Sequence, residues 1–161
     1  MDNKERFIEI FTSQIHRPGA AELLEWLEST DFFEAPAGAK HHGAFPGGLV
    51  IHSLNVYRRL REITIRDLTP RDALGPAPIS EQEEETVAIL GLLHDVCKAN
   101  YYAGEYPDYT VKDQIPMGHG EKSVYLVMKH MELTDDEALA IRWHMGAYDD
   151  AAKGGSKVLS A

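Results

Sequence analysis

A chain of 161 residues with 43% hydrophobic content holds enough apolar material for one domain-sized core, which excludes a disordered chain. Its formal net charge of −10 argues against non-specific binding to nucleic acid phosphates. The single cysteine, Cys97, excludes an internal disulfide and fits a reducing cytoplasm.

Residues 4–16 place Phe7, Ile8, Ile10, Phe11 and Ile15 on a stripe of helical period. The opening MDNKERFIEIF is charged and lacks the apolar core of a signal peptide. Pro18 suits the first turn of a second helix, AAELLEWLEST, with Leu23, Leu24, Trp26 and Leu27 inward. Residues 31–48 are rich in Gly, Pro and Ala and form a long loop of the kind that carries function. A third helix, LVIHSLNVYRRLREITI, follows, and residues 69–79, with three prolines, form a linker. Ser80 and Glu83 make a capping box for a fourth helix that runs through LGLLHDVCK. Residues 99–120 are a loop with a short hairpin at YTVKD. Helix five covers EKSVYLVMKHM, and Thr134 with Glu137 opens helix six, DDEALAIRWHM, closed by Gly146. No stretch reaches the ~20 apolar residues that span a bilayer. The expectation is an all-α bundle of about six helices, a single domain over 1–161, in the cytoplasm and away from membranes.

Eight histidines accompany the one cysteine, so a metal site here would be built from imidazole and carboxylate rather than thiolate. His52 lies among Leu49, Val50, Ile51 and Leu54. His94 and Asp95 end the apolar run Ile89–Leu93. His119 sits between two glycines at a helix start, and His144 falls in the last turn of helix six. Each alone reads as a hydrogen-bonded core histidine, or, for His144, as a cation favouring a helix C-terminus. Four such histidines on four elements can converge on one point, where a metal ion would satisfy an otherwise expensive buried aspartate. Neutral imidazole with carboxylate suits Zn, Fe, Mn or Ni. His16 and His130 read as surface residues. His41 and His42 lie in the long loop and read as solvated or as substrate contacts. Tyr101, Tyr102, Tyr106 and Tyr109 read as a cover for the core, with stacking on a base or sugar as the alternative.

The ordered segments GGLVIHSLNV, GLLHDVCK, GHGEKS and RWHMG resemble the HD-domain metal-dependent phosphohydrolase superfamily. The lead-in FFEAPAGAKHHGAFPGGLVIHSLNV looks like the HD domain of bacterial 3′-to-5′ exoribonucleases, and like small stand-alone HD proteins of bacteria and their phages. The resemblance runs from about Asp31 to Tyr148. It implies an α-helical HD fold with a metal centre of one or two ions. His52 matches the first ligand, His94 and Asp95 the adjacent pair, and His119 and His144 the extra histidines of the two-metal branch. Asp95 looks like the residue that bridges both ions, and Lys98 like the lysine near substrate phosphate. The family pattern closes with an aspartate on a further helix. Asp149 and Asp150 lie too close to His144 to fill that role, so the chain is expected to continue beyond Ala161.

The resemblance thus implies a metal-dependent phosphohydrolase. The enzymes it looks most like act on RNA with a separate nucleic-acid-binding domain, and the net charge of −10 disfavours a long polyanion, so a nucleotide or other small phosphorylated molecule is the expected substrate. Asp95 and Lys98 are the expected catalytic residues. Lys98, Lys122, His41 and His42 are the expected substrate contacts. Lys98 and Lys122 also have plain readings, as a helix-end lysine and a solvated first-turn lysine. Two other classes stay open: a di-iron oxygenase of the HD type, and a non-catalytic module that binds a metal or a nucleotide. The sequence carries no signal for oligomeric state.

Overall fold

The computed structural model describes residues 1–145. Within them the chain forms six α-helices, a 3₁₀ turn and one two-stranded ribbon: α1 (Asn3–Gln14), α2 (Ala20–Ser29), α3 (Gly48–Leu68), α4 (Glu81–Leu93), the 3₁₀ turn (Val96–Lys98), β1 (Tyr102–Ala103), β2 (Thr110–Val111), α5 (His119–Met128) and α6 (Asp135–Arg142). The architecture is the all-α bundle expected. Of the short hairpin expected at YTVKD only β2 falls there; its antiparallel partner β1 lies upstream, Tyr102 opposite Val111. No helix of the described residues is long and apolar enough to cross a membrane.

Local chemistry sets the helix starts. The Ser80–Glu83 and Thr134–Glu137 capping boxes are both closed, side chain to backbone in each direction. A third box, Asp2 with Glu5, starts α1 by the same chemistry through Asp-x-x-Glu. Three helix ends fall earlier than periodicity suggests. α5 stops at Met128 rather than Met131. α4 stops at Leu93 rather than running through Lys98, and α6 stops at Arg142, so His144 lies just past the helix instead of in its last turn. The proposed closure of α6 by Gly146 lies outside the described residues.

The core joins α1 and α2 to the sides of α3, α4 and α5. Phe7, Phe11, Leu23, Leu27, Phe32, Leu49, Ile89, Leu92 and Leu93 are fully buried. Phe7 meets Phe32 and Phe33 with ring centroids 5.2 and 5.3 Å apart in tilted and edge-on geometry. The long loop is less solvated than its composition suggests, because Phe32, Phe33, Ala35 and Ala37 are buried. Its backbone is pinned to the start of α3 through Leu49 N–H to Ala35 O (3.0 Å) and Gly47 N–H to Glu34 O (3.0 Å). Off to the side, Arg17 donates to both Glu85 and Glu137, tying the α1–α2 connection to α4 and α6.

Two glycines let the helix pairs approach closely. A side chain at Gly91 of α4 would collide with the backbone of Tyr57 on α3, and one at Gly120 of α5 would collide with the Arg142 carbonyl at the end of α6. Each contact stands next to a pair of histidines. His52 and His94 flank the first, and His119 and His144 flank the second.

Candidate metal centre

Adjacent residues on an α-helix project about 100° apart, so a continuous helix could not aim His94 and Asp95 at one point. The chain solves this by ending α4. His94 keeps αR geometry as the C-cap, while Asp95 leaves it at φ −113°, ψ 21° and opens the 3₁₀ turn. Both side chains then turn toward His52 on α3. His52 Nε2 lies 3.1 Å from His94 Nε2 and 3.2 Å from Asp95 Oδ2, and His94 Nε2 lies 3.4 Å from that oxygen. On the other side, His144 Nε2 sits 3.1 Å from Asp95 Oδ1. The carboxylate therefore presents one oxygen to His52 and His94 and the other to His144.

Backbone carbonyls fix two of the rings. His94 Nδ1 donates to Gly91 O (2.9 Å) and His144 Nδ1 donates to Ile141 O (2.6 Å). A carbonyl can only accept, so these Nδ1 atoms carry hydrogens, and in the neutral rings both Nε2 atoms present lone pairs. Metal-binding histidines are commonly oriented in this way. His94 Nε2 and Asp95 Oδ2 then face each other as two acceptors, an arrangement that calls for a positive charge between them. Neutral His52 can donate one hydrogen, not two; a protonated ring or a cation supplies the rest.

Donor spacing fits a metal ion. Ligand bonds of about 2.0–2.2 Å place neighbouring donors on one ion about 2.9–3.5 Å apart, and the three separations among His52, His94 and Asp95 fall inside that range. Among the described residues these three form the cluster suited to a metal. Asp95 is 3% exposed while the His52 side chain is 41% exposed, so the cluster opens to solvent on the α3 side.

Electrostatics reinforce the charged form of the aspartate. Burial alone would raise its pKa, but the rings of His144, His52 and His94, which donate to it when protonated, outweigh burial and hold the carboxyl well below the usual range. Burial would lower the His144 pKa, and its bond to Asp95 raises it instead. Lys98 Nζ donates to Asp95 Oδ2 (3.2 Å) and to Ala37 O (2.8 Å), which places the lysine in the cluster and ties it to the long loop.

The remaining expected residues are placed differently. His119 has no hydrogen bond to the other four; its Nδ1 lies 3.4 Å from Cys97 Sγ and its ring meets Tyr101 edge-on at 5.3 Å. Burial, then the charge of Lys98, lower its pKa, and Asp95 and His144 are also among the charges that it feels. Burial pushes the Cys97 thiol up to about 12, so it stays protonated beside His119. Lys122 is 4% exposed rather than solvated, with its ammonium 2.7 Å from Asp113 Oδ1 and 5.1 Å from the Tyr101 ring. His41 and His42 are exposed in the long loop. His130 stacks on Trp26 at 5.5 Å, and His16 is exposed. Tyr101 and Tyr102 pack on each other and are partly buried, whereas Tyr106 is 60% exposed and does not cover the core. The Ala37 carbonyl, Cys97 and Asp113 are neighbours that sequence reasoning missed. Asp113 belongs to no helical pattern, and the contact made by Ala37 is a backbone one with no sequence signature. Asp149 and Asp150 lie outside the described residues.

A family model described as HD domain matches residues 49–159 of this sequence. No curated protein and no solved structure matches the chain.

Proposed function

The chain belongs to the HD-domain metal-dependent phosphohydrolase superfamily, and from that premise we propose that it hydrolyses a phosphate ester of a small molecule, with a nucleotide as the leading substrate class. The observation that carries the reading is the cluster of facing acceptors, His94 Nε2 and Asp95 Oδ2, with His52 Nε2 within 3.2 Å of both. We assign His52, His94, Asp95 and His144 as metal-holding residues, with His119 beside them. Asp95, with its two oxygens turned to different histidines, would hold one or two cations.

When bound, a divalent transition-metal ion supplies Lewis-acid polarisation of the phosphoryl group and brings the pKa of water down toward ~7. The chain supplies the rest. His94 and His144 are held in one tautomer by Gly91 O and Ile141 O. Lys98, beside Asp95, offsets negative charge on the phosphate. Water adds its oxygen to phosphorus, the ester P–O bond breaks, and the departing alcohol takes a proton. The negative surface disfavours long polyanions and leaves a small phosphate as the fitting substrate.

Elemental analysis of purified protein, followed by a screen of nucleotides and generic phosphodiesters with added Mn, Fe, Ni or Zn, tests the reading. Bound metal and released phosphate or alcohol support it. The same ligand frame favours an iron oxygenase if iron loading brings substrate-dependent oxygen consumption. Metal without any turnover would leave a binding module.

A further inference from the structure

A cavity of about 660 Å³ lies between the long loop and the β1–β2 ribbon. Lys40, His41 and Phe45 line it from the loop, and Tyr106, Asp108 and Tyr109 from the ribbon turn. Two of these aromatic rings are unusually open: Phe45 is 41% exposed and Tyr106 60%. Neither is needed for the core. Large rings held open on the loop and on the ribbon turn, with the Asp108 carboxylate and the Lys40 ammonium in the same lining, suit a planar polar ligand better than they suit solvent.

Three chains of contacts lead from this cavity toward the metal centre. Gly43, in its lining, accepts the Ala37 N–H at 2.9 Å, and the Ala37 carbonyl holds Lys98, which in turn holds Asp95. The Gly43 carbonyl also lies against Gly48, which sits one helical turn before His52 on the same face of α3. From the ribbon side, Tyr109 meets Tyr102 at 6.5 Å, Tyr102 meets Tyr101 at 4.9 Å, and Tyr101 reaches His119 at 5.3 Å. The cavity lining is thus linked through the long loop to Lys98 and Asp95, and through the tyrosines to His119.

We propose that this cavity is the leaving-group subsite of the hydrolase and takes the base and sugar of a mononucleotide, stacked by Phe45 and Tyr106. Asp108 accepts from base N–H or ribose hydroxyl groups. Lys40 attracts the anionic substrate on entry, and the phosphate itself lies toward Lys98. The assignment rests on the phosphohydrolase reading and deepens it.

The test compares adenosine 5′-monophosphate with glycerol phosphate on the metal-loaded full chain, in wild type, Phe45→Ala and Tyr106→Ala. Wild type prefers the nucleotide by KM, and each substitution lowers that preference about five- to hundredfold, the range for loss of one stacking ring. Both side chains are solvent-exposed, and a circular dichroism spectrum checks that the variants fold. A preference unchanged by both substitutions overturns the subsite while leaving hydrolysis intact. If neither ester turns over, calorimetric titration with adenosine 5′-monophosphate still decides. Binding weakened by Phe45→Ala and Tyr106→Ala keeps the subsite and removes the hydrolase reading, and absence of binding removes the subsite.

Discussion

Asp95 is the residue on which the centre turns. Its two oxygens are shared by three histidines and Lys98, and no other carboxylate among the described residues stands in the cluster. Asp95→Ala is expected to reduce bound metal to background in elemental analysis and to abolish hydrolysis; retained metal stoichiometry would overturn the assignment. His130→Ala, at a ring stacked on Trp26 away from the centre, should leave metal content unchanged. A second residue, Glu137, is 2% exposed and serves stability rather than chemistry. Burial alone would raise its pKa, but hydrogen bonds from Arg17, the Thr134 N–H and Thr86 outweigh it, so its folded value lies below the unfolded one. A depressed carboxyl contributes stability that is complete above about pH 4.5 and is lost as pH falls through the folded value. Urea midpoints measured between pH 7 and pH 3 should therefore drop in acid. Glu137→Gln should cost about 2 kcal/mol at neutral pH and flatten that acid limb.

At the level of elements, the helix crossings decide whether the histidines meet. Gly91 lies against the Tyr57 backbone, and its carbonyl also holds the His94 ring. Gly91→Ala inserts a methyl where backbone already stands, forcing α4 away from α3. The expected loss is about 1–3 kcal/mol in stability, with metal affinity reduced tenfold or more, read by urea denaturation and by metal titration of the still-folded fraction. Gly75→Ala, where a side chain meets open space, is the matched control and should change neither. The capping boxes at Ser80 and Thr134 were legible because Ser/Thr followed three residues later by Glu is itself the hydrogen-bonding unit. The early end of α4 was not legible. Ile89, Leu92, Leu93 and Val96 are all buried, so apolar content continues straight through the break and periodicity cannot mark it.

For the whole molecule, metal binding and folding should be linked. The proposed ligands come from α3, from the end of α4 and from beyond α6, so the site would exist only in the folded chain. A metal at about a hundred times its Kd adds about 2.7 kcal/mol of stability. For a domain of this size that raises Tm by about 5–10 °C. Differential scanning calorimetry with metal, with chelator and with metal restored should show the rise, its loss and its return, and Asp95→Ala should show none of them. An unshifted wild-type Tm at saturating metal would argue against a centre built across the bundle.

The sequence alone determined the all-α class, two of the three helix caps and the membership signalled by His52, His94–Asp95, His119 and His144. These are matters of spacing and local hydrogen-bonding pattern, which a one-dimensional string retains. The tertiary structure decided which of those histidines share Asp95, with His52, His94 and His144 touching it and His119 turned to Cys97. It also decided that Lys122 is held by Asp113 and that Tyr106 faces solvent. Those outcomes depend on where α4 ends and how closely glycines let helices cross, and each is fixed by atoms far apart in the chain, which no spacing rule encodes.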